Sequence, residues 1–290
     1  MRAYLPDYQA RSAKDLKDAL KVLSGEPGLW KPLAGATDLM VLFAAGKLPR
    51  GRYLNIRGLK ELRGIGVTKD FVSLGALTTY TEIRGHSVLM KEFPNLCAAA
   101  RETGAIAIQN RGTIGGNIAN ASPAADSPPA LLVYDAEIEL VSSKGARWVP
   151  YAGFHLAYKK MVMRPDELIR AVRLPRRAEK FAHFYRKIGT RRAQAISKVC
   201  FSGKARLEKN GRRFLDARIA VGSVAPIPLR CLRTEAAIVS RDLDARVIAN
   251  ARKIFLQEIS PIDDIRSTRD YRAAVAGNVF EQFIQETAGL

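Results

Sequence analysis

Two short runs of small residues carry most of the chemistry that this chain of 290 residues advertises. The first is Pro32-Leu33-Ala34-Gly35-Ala36-Thr37-Asp38-Leu39. The second is Gly112-Thr113-Ile114-Gly115-Gly116-Asn117, inside the stretch from Gln109 to Ala136. Glycine lets a backbone take positive φ and lets a ligand come close to bare amides. Consecutive free N–H groups at such a turn form an anion-binding concavity. Almost no positive charge follows Arg111 in the second stretch, so a phosphate bound there is expected to be held by backbone donors. A glycine pair alone is only a turn; it is the full string, running through Ser122 and Pro123 to Asp126, that points to more.

Other chemistries find little support. No Gly-x-Gly-x-x-Gly follows a strand, Gly46-Lys47 lacks the upstream glycine of a phosphate-binding Walker loop, and no Gly-x-Ser-x-Gly elbow is present. The three histidines, His86, His155 and His183, are isolated, as structural or surface histidines are. Cys97, Cys200 and Cys231 lie far apart with no Cys-x-x-Cys, which argues against a zinc site, a disulfide framework or an iron–sulfur cluster in this chain. The 47 Lys and Arg exceed the 28 Asp and Glu, giving +19, but they are scattered without a long basic run. That distribution suits an acidic partner or an anionic cofactor as well as nucleic acid. The start MRAYLPDYQA lacks the apolar core of a signal peptide, and no apolar run reaches membrane-spanning length, so a cytoplasmic setting is expected. What remains is a pair of glycine turns plus Asp126, a pattern suited to cofactor binding.

Several elements must position these turns. Ser12 and Asp15 have capping-box spacing ahead of Leu16, Ala19, Leu20 and Leu23, and Gly25 with Pro27 stops that helix. Trp30 to Ala34 reads as a strand, Thr37 to Ala45 as a helix and Arg52 to Ile56 as a strand, a βαβ-like unit with turn amides at a helix start. Strands are expected on either side of Thr68-Lys69-Asp70 between Ile65 and Leu77. Helices are expected over Thr79 to Arg84 and Pro94 to Thr103. A half-buried strand covers Ala136 to Leu140, and another, Glu167 to Leu174, is closed by Pro175. The charged, non-periodic Arg176 to Lys180 marks a boundary. Beyond it, Asn210-Gly211 between Ser202–Glu208 and Arg212–Val224 is a hairpin signal. Helices over Leu243 to Glu258 and Thr268 to Glu286 follow. The latter has Ser267 and Asp270 at capping-box spacing and Tyr271, Val275, Val279 and Phe283 on one face. This last third reads as a small antiparallel sheet covered by helices.

Four segments then occur in a telling order: AGATDL (Ala34 to Leu39), TTYTEI (Thr78 to Ile83), RGTIGGNIANASPAADSPPALL (Arg111 to Leu132) and PIDDIRSTRDYRAAVAGNV (Pro261 to Val279). From about Tyr4 to Val279 the chain resembles the FAD-binding medium subunit of the molybdenum hydroxylases, the family of bacterial xanthine dehydrogenases and carbon monoxide dehydrogenases. The resemblance implies an α+β chain. Its first part would be a two-subdomain FAD-binding fold of the p-cresol methylhydroxylase and vanillyl-alcohol oxidase type (residues 1–57 and 58–175), followed by a C-terminal α+β domain (176–290). It implies non-covalent FAD, with Pro32 to Leu39 and Thr113, Ile114, Gly115, Gly116 and Asn117 as pyrophosphate-contacting loops. Asp126 matches a cofactor-contacting acid, where the residues alone suggest a cap after Pro123. Ile169 and Lys187 match positions near the flavin ring, although Lys187 also reads as an exposed surface lysine. Ala36 stands where relatives often have glycine or asparagine. Thr103 stands where some place a stacking aromatic, and Arg191 or Arg192 falls where others face the ring.

By the same resemblance the chain passes electrons from iron–sulfur clusters of a small partner subunit through FAD to NAD or another acceptor. A large partner subunit holds the molybdopterin at which substrate is hydroxylated. Two rival readings are a stand-alone FAD-dependent oxidase of the vanillyl-alcohol oxidase type and a basic nucleic-acid module in which the glycine turns are purely structural.

Overall fold

The computed structural model describes residues 7–191, 193–209, 211 and 213–290; Tyr4, Arg192, Asn210 and Arg212 fall outside the described residues. Among the described residues three sheets of three or more strands follow one another along the chain. The first is parallel, in the order β1-β3-β2, from β1 (Tyr8–Ser12), β2 (Trp30–Leu33) and β3 (Gly51–Asn55). Parallel neighbours need crossovers, and α1 (Leu16–Gly25) and α2 (Thr37–Ala44) supply them. The cap of α1 is Asp15, whose carboxylate accepts from the Asp18 amide at 2.7 Å. Ser12 instead ends β1, where its hydroxyl accepts from the Asn55 side chain, so the capping-box start falls three residues later than the spacing suggests. The apolar stripe of α1, Ala19, Leu20, Val22 and Leu23, packs on Leu54, Ile56, Leu59 and Leu62 and reaches Val141 and Leu168 of the next sheet. The first unit is thereby fastened to the second through one shared core.

The second sheet is antiparallel in the order β4-β5-β10-β6-β7. Its strands are β4 (Ile65–Val67), β5 (Phe71–Gly75), β6 (Glu137–Ser142), β7 (Gly145–Pro150) and β10 (Leu168–Pro175); a small hairpin, β8 (His155–Ala157) and β9 (Lys160–Met161), precedes β10. Between β5 and β6 run α3 (Tyr80–Gly85), α4 (Ser87–Glu92), α5 (Pro94–Glu102), α6 (Ile106–Gln109), α7 (Ile114–Ala119) and α8 (Ser127–Val133). These cover the face formed by Val72, Leu74, Ile138, Leu140, Val172 and Leu174. The expected half-buried strand at Glu137 is in fact covered on both faces, because Glu139 is buried against Arg170 and Val141 meets α1. A register shift between Ile169 and Ala171 lets the Arg170 carbonyl accept from the Ala76 amide at 2.9 Å, which fixes the chain leaving β5.

The third sheet, β11-β12-β13-β14, comprises β11 (Ala182–Ile188), β12 (Val199–Leu207), β13 (Phe214–Gly222) and β14 (Leu229–Arg230). It is covered by α9 (Leu232–Ile238), α10 (Ala245–Glu258) and α11 (Arg269–Ala288) over a core rich in phenylalanine, including Phe201, Phe214, Phe255, Phe280 and Phe283. The hairpin expected around Gly211 forms, with Gly211 at φ 74°. The cap of α11 is Thr268 rather than Ser267, and Tyr271 is turned outward while Val279 and Phe283 are buried. None of the helices among the described residues is long and apolar enough to cross a membrane.

At the seam between the second and third sheets the Asn95 amide donates to Ser202 Oγ at 3.0 Å and to the Gly203 carbonyl at 2.9 Å. Lys204, 3 % exposed, lies there with its ammonium 4.3 Å from the Phe181 ring centroid and 5.2 Å from that of Tyr134. Burial pushes this lysine down to about 8, against an ordinary 10.5. A folded-state value below the unfolded one means that the unfolded chain holds more protons between those two pH values. Folding stability therefore rises across that window, by roughly 3 kcal/mol in total. Lys204→Met is expected to be more stable than the parent at pH 7 and to lose this rise, read by urea melts between pH 7 and 10.5. Parallel pH profiles for the two proteins would contradict it.

Candidate functional site

The two glycine turns touch. A Cβ built on Gly35 would sit 2.0 Å from the Arg111 carbonyl oxygen and 3.1 Å from the Gly112 Cα, so bare backbone lies on bare backbone. One on Gly116 would lie 3.8 Å from the Ala34 Cβ, and one on Gly115 only 2.6 Å from the Ala76 Cβ. Seventy-odd residues of chain separate the turns, and it is the packing of α1 between the first two sheets that brings them together.

Their amides are not alike. The second string is no open loop but the beginning of α7, capped by the Thr113 hydroxyl, which accepts from the Gly116 amide at 3.2 Å. Its Ile114 and Gly115 amides donate to the Thr78 and Ala76 carbonyls at 3.0 and 2.9 Å. These donors already serve the docking of α7 on the segment after β5, which corrects the expectation that both turns offer bare amides. The first turn differs. Ala36 precedes α2 in the left-handed region at φ 62°, and no side chain caps this helix. The amides of Thr37, Asp38 and Leu39 have no acceptor among the described residues. Unpaired first-turn amides together with the helix dipole make a site for an anion. Pro32 and Leu33 belong to β2, which delivers the chain to this turn.

Asn117, on α7, accepts the Ser127 hydroxyl at 2.6 Å, tying α7 to the start of α8. Asp126 stands at the α8 N-cap position but makes no capping bond. Its carboxylate instead takes the Lys187 ammonium at 2.7 Å and the Ser197 hydroxyl at 2.6 Å. Lys187 also donates to the Glu102 carbonyl at 2.9 Å, and its side chain is 5 % exposed, so it is not a surface lysine. Burial pushes the Asp126 carboxyl up, against the pull of Lys187 and Ser197. Removing either partner of such a pair strands a buried charge. The pair joins α8 to β11 and so ties the third sheet to the second unit.

Ile169 lies at the β10 irregularity beside the Ala76 contact, with its side chain in the second unit's core. Arg191 is exposed and donates to the Ala193 and Gln194 carbonyls, while Thr103 donates to the Ala99 carbonyl. Among the described residues neither is joined to the Asp126–Lys187 pair by a hydrogen bond. His155 is buried and His183 half-buried; His155 Nε2 meets the Ile118 carbonyl and His183 Nδ1 the Tyr134 hydroxyl. No cluster of three or more metal-ligating side chains occurs among the described residues. Sequence reasoning did not single out Ser197, the Glu102 carbonyl or the Ala76 and Thr78 carbonyls. A lone serine and backbone acceptors have no spacing signal.

An uncapped helix start pressed against a glycine-opened helix is an arrangement suited to an anionic ligand. Comparison with known proteins gives the class. The family described as "FAD binding domain in molybdopterin dehydrogenase" matches residues 6–177, and "CO dehydrogenase flavoprotein C-terminal domain" matches residues 184–287. The chain is 32 % identical to the xanthine dehydrogenase FAD-binding subunit of Escherichia coli over 278 residues, covering 94 % of each. It is 28 % identical to the glyceraldehyde dehydrogenase medium chain of Sulfolobus acidocaldarius, covering 98 % of this chain and 100 % of that one. A solved carbon monoxide dehydrogenase from Hydrogenophaga pseudoflava superposes with a TM-score of 0.90 at 26 % identity, covering 96 % of both chains. The protein therefore belongs to the FAD-binding medium subunits of the molybdopterin dehydrogenases, with an FAD-binding domain followed by the family's C-terminal domain.

A left-handed alanine costs about 1–2 kcal/mol that glycine avoids, and glycine's greater freedom when unfolded takes back part of the gain. Ala36→Gly is accordingly expected to stabilise the fold by roughly 0.5–1 kcal/mol, read as a higher denaturant midpoint. An unchanged or lower midpoint would show that the turn is not held at positive φ.

Proposed function

We propose that this chain is the FAD-binding electron-transfer subunit of a molybdenum hydroxylase complex. In this reading it receives electrons from iron–sulfur clusters in a small partner subunit and passes them to an external acceptor such as NAD. Oxidation of the organic substrate belongs to a large molybdopterin-binding partner. The observation that carries the reading is the contact between Gly35 and the Arg111–Gly112 peptide, beside an α2 start with no cap. The residues fit the cofactor: a diphosphate needs close backbone approach and unpaired donors, and the first turn has both.

Bound FAD supplies a junction at which electrons arrive singly and leave in pairs. The chain's own residues supply position and field. The amides of Thr37, Asp38 and Leu39 hold the diphosphate, while Thr113, Gly115, Gly116 and Asn117 form the wall that no side chain obstructs. Lys187, held by Asp126, would set an ammonium near the ring, where it would favour the reduced, anionic form, and Ile169 would stand near the ring as well. His155 is bonded to a carbonyl, its basicity lowered by burial, and burial brings His183 down to about 4. Neither is a base suited to substrate oxidation by this chain alone. We propose the same three-part division along the chain: residues 1–57 and 58–175 enclose FAD, and 176–290 contribute Lys187.

The purified chain is expected to take up FAD one-to-one, followed by quenching of flavin fluorescence. In Gly35→Ala the added methyl must part the two turns at a cost of about 2 kcal/mol or more, and affinity for FAD should fall at least tenfold. A folded parent chain that ignores added FAD would refute the reading. An alanine variant that binds as tightly as the parent would refute the assigned role of the turn.

A further inference from the structure

Polar side chains from separate elements meet beneath the second glycine turn. Tyr80 opens α3, Tyr151 follows β7, Ser127 opens α8 and Asn117 lies on α7. Tyr80, Tyr151 and Ser127 are fully buried. The Tyr80 ring lies against the turn: a Cβ built on Gly112 would sit 3.2 Å from its Cε2, and the Tyr80 amide donates to the Gly112 carbonyl at 3.3 Å. Yet the hydroxyls of Tyr80 and Tyr151 are closed off from solvent and have no hydrogen-bond partner among the described residues. The two phenols are neighbours. Burial pushes both up, with Tyr80 adding to the rise at Tyr151, while the Ser127 hydroxyl pulls Tyr80 part of the way back.

A buried hydroxyl without a partner is destabilising, and native interiors pair such groups with protein or with ordered water. Phenylalanine at positions 80 and 151 would fill the same volume without that cost. Hydrogen counting then sets a direction. Ser127 spends its hydroxyl hydrogen on Asn117 Oδ1 at 2.6 Å, so toward the phenols it can only accept. With Oδ1 engaged, the Asn117 NH2 group is left without an acceptor among the described residues. The backbone amides around it are spent: Ile114, Gly115, Gly116 and Asn117 donate to Thr78, Ala76 and Thr113. Beside Asn117 stands Gly116, whose Cβ position lies 3.8 Å from Ala34 of the first turn.

We infer that one water is buried among the Tyr80, Tyr151 and Ser127 hydroxyls, and that the resulting relay holds the Asn117 amide with its NH2 group toward the cofactor. Tyr80, Tyr151 and Ser127 are then positioning residues. Water suits the place because it is small and can bond to all three hydroxyls at once. It donates to Ser127, which keeps the Ser127 hydrogen on Asn117. An asparagine not held in this way is free to turn its carbonyl outward, and a carbonyl repels an anionic ligand where an NH2 group attracts it. The relay itself stands on the buried hydroxyls; the use made of Asn117 rests on the proposed function.

The test uses the full chain, with FAD as the probe. A high-resolution crystal structure is expected to show a water within hydrogen-bond distance of all three hydroxyls. In the chain without FAD, labelled with 15N-asparagine, the Asn117 NH2 resonances are assigned by their loss in Asn117→Asp. Tyr80→Phe and Tyr151→Phe keep both rings and a cooperative melt, yet each should shift these resonances and speed their exchange with solvent. Each should also weaken FAD binding about fivefold, the worth of one well-placed hydrogen bond. The double variant should lose no more than the worse single one, because one water serves both phenols. No water among the hydroxyls, or unchanged Asn117 resonances in both variants, would overturn the inference and leave the proposed function intact. Shifted resonances with unchanged FAD affinity would overturn the role given to Asn117. A folded parent chain that ignores FAD would overturn the proposed function and that role together, while the water and the resonances still decide the relay.

Discussion

The arrangement depends on one close approach, the Gly35 backbone against the Arg111–Gly112 peptide. Any side chain at position 35 would have to occupy the space of a carbonyl oxygen. The contact sets the distance between the first and second α/β units at the two glycine turns. It is a steric requirement rather than an attraction, so other interactions must hold the units together. The shared apolar core of α1 with Leu54, Leu62, Val141 and Leu168 does that. The glycine string of α7 is held in turn by amide bonds to the Ala76 and Thr78 carbonyls. One glycine turn thus serves as a fitted wall and the other keeps its donors free. The two similar-looking runs have divided the work between shape and hydrogen bonding.

A second theme is charge kept out of water at the seam with the third sheet. The Lys187–Asp126 pair satisfies itself through Ser197 and the Glu102 carbonyl, so its desolvation is offset by local bonds. Lys204, on the neighbouring strand, has the Tyr134 and Phe181 rings close to its ammonium and gives up part of its basicity to burial. The contrast follows from placement: Lys187 has a carboxylate against its ammonium, whereas the Lys204 ammonium lies near two aromatic rings.

Much of this was legible in the chain. The βαβ pattern around Gly35, the strands at Ile65–Gly75 and Leu168–Pro175, the hairpin at Gly211 and the two long C-terminal helices all follow from periodicity, caps and turn residues. The order of the four marked segments identifies the family. What escaped was set by tertiary context. β1 and β11 have no strong alternation, because one is a short strand of mostly exposed residues and the other is buried unevenly. The string at Gly112–Asn117 reads as an open turn because glycine disfavours helix. Packing on Ala76, where only glycine fits at position 115, makes it one. Lys187 resembles any lysine of a charged strand until Asp126, sixty-one residues earlier, is seen against it.

The central claim is that the first turn, not the second, carries the free donors for the diphosphate. Residue-resolved amide hydrogen exchange of the chain with and without FAD tests it most directly. The account predicts that Ile114 and Gly115 are protected in both states, whereas Thr37, Asp38 and Leu39 exchange rapidly alone and slow at least tenfold when FAD is added. Protection that appears at Ile114 and Gly115 on FAD addition, with Thr37 to Leu39 unchanged, would contradict it.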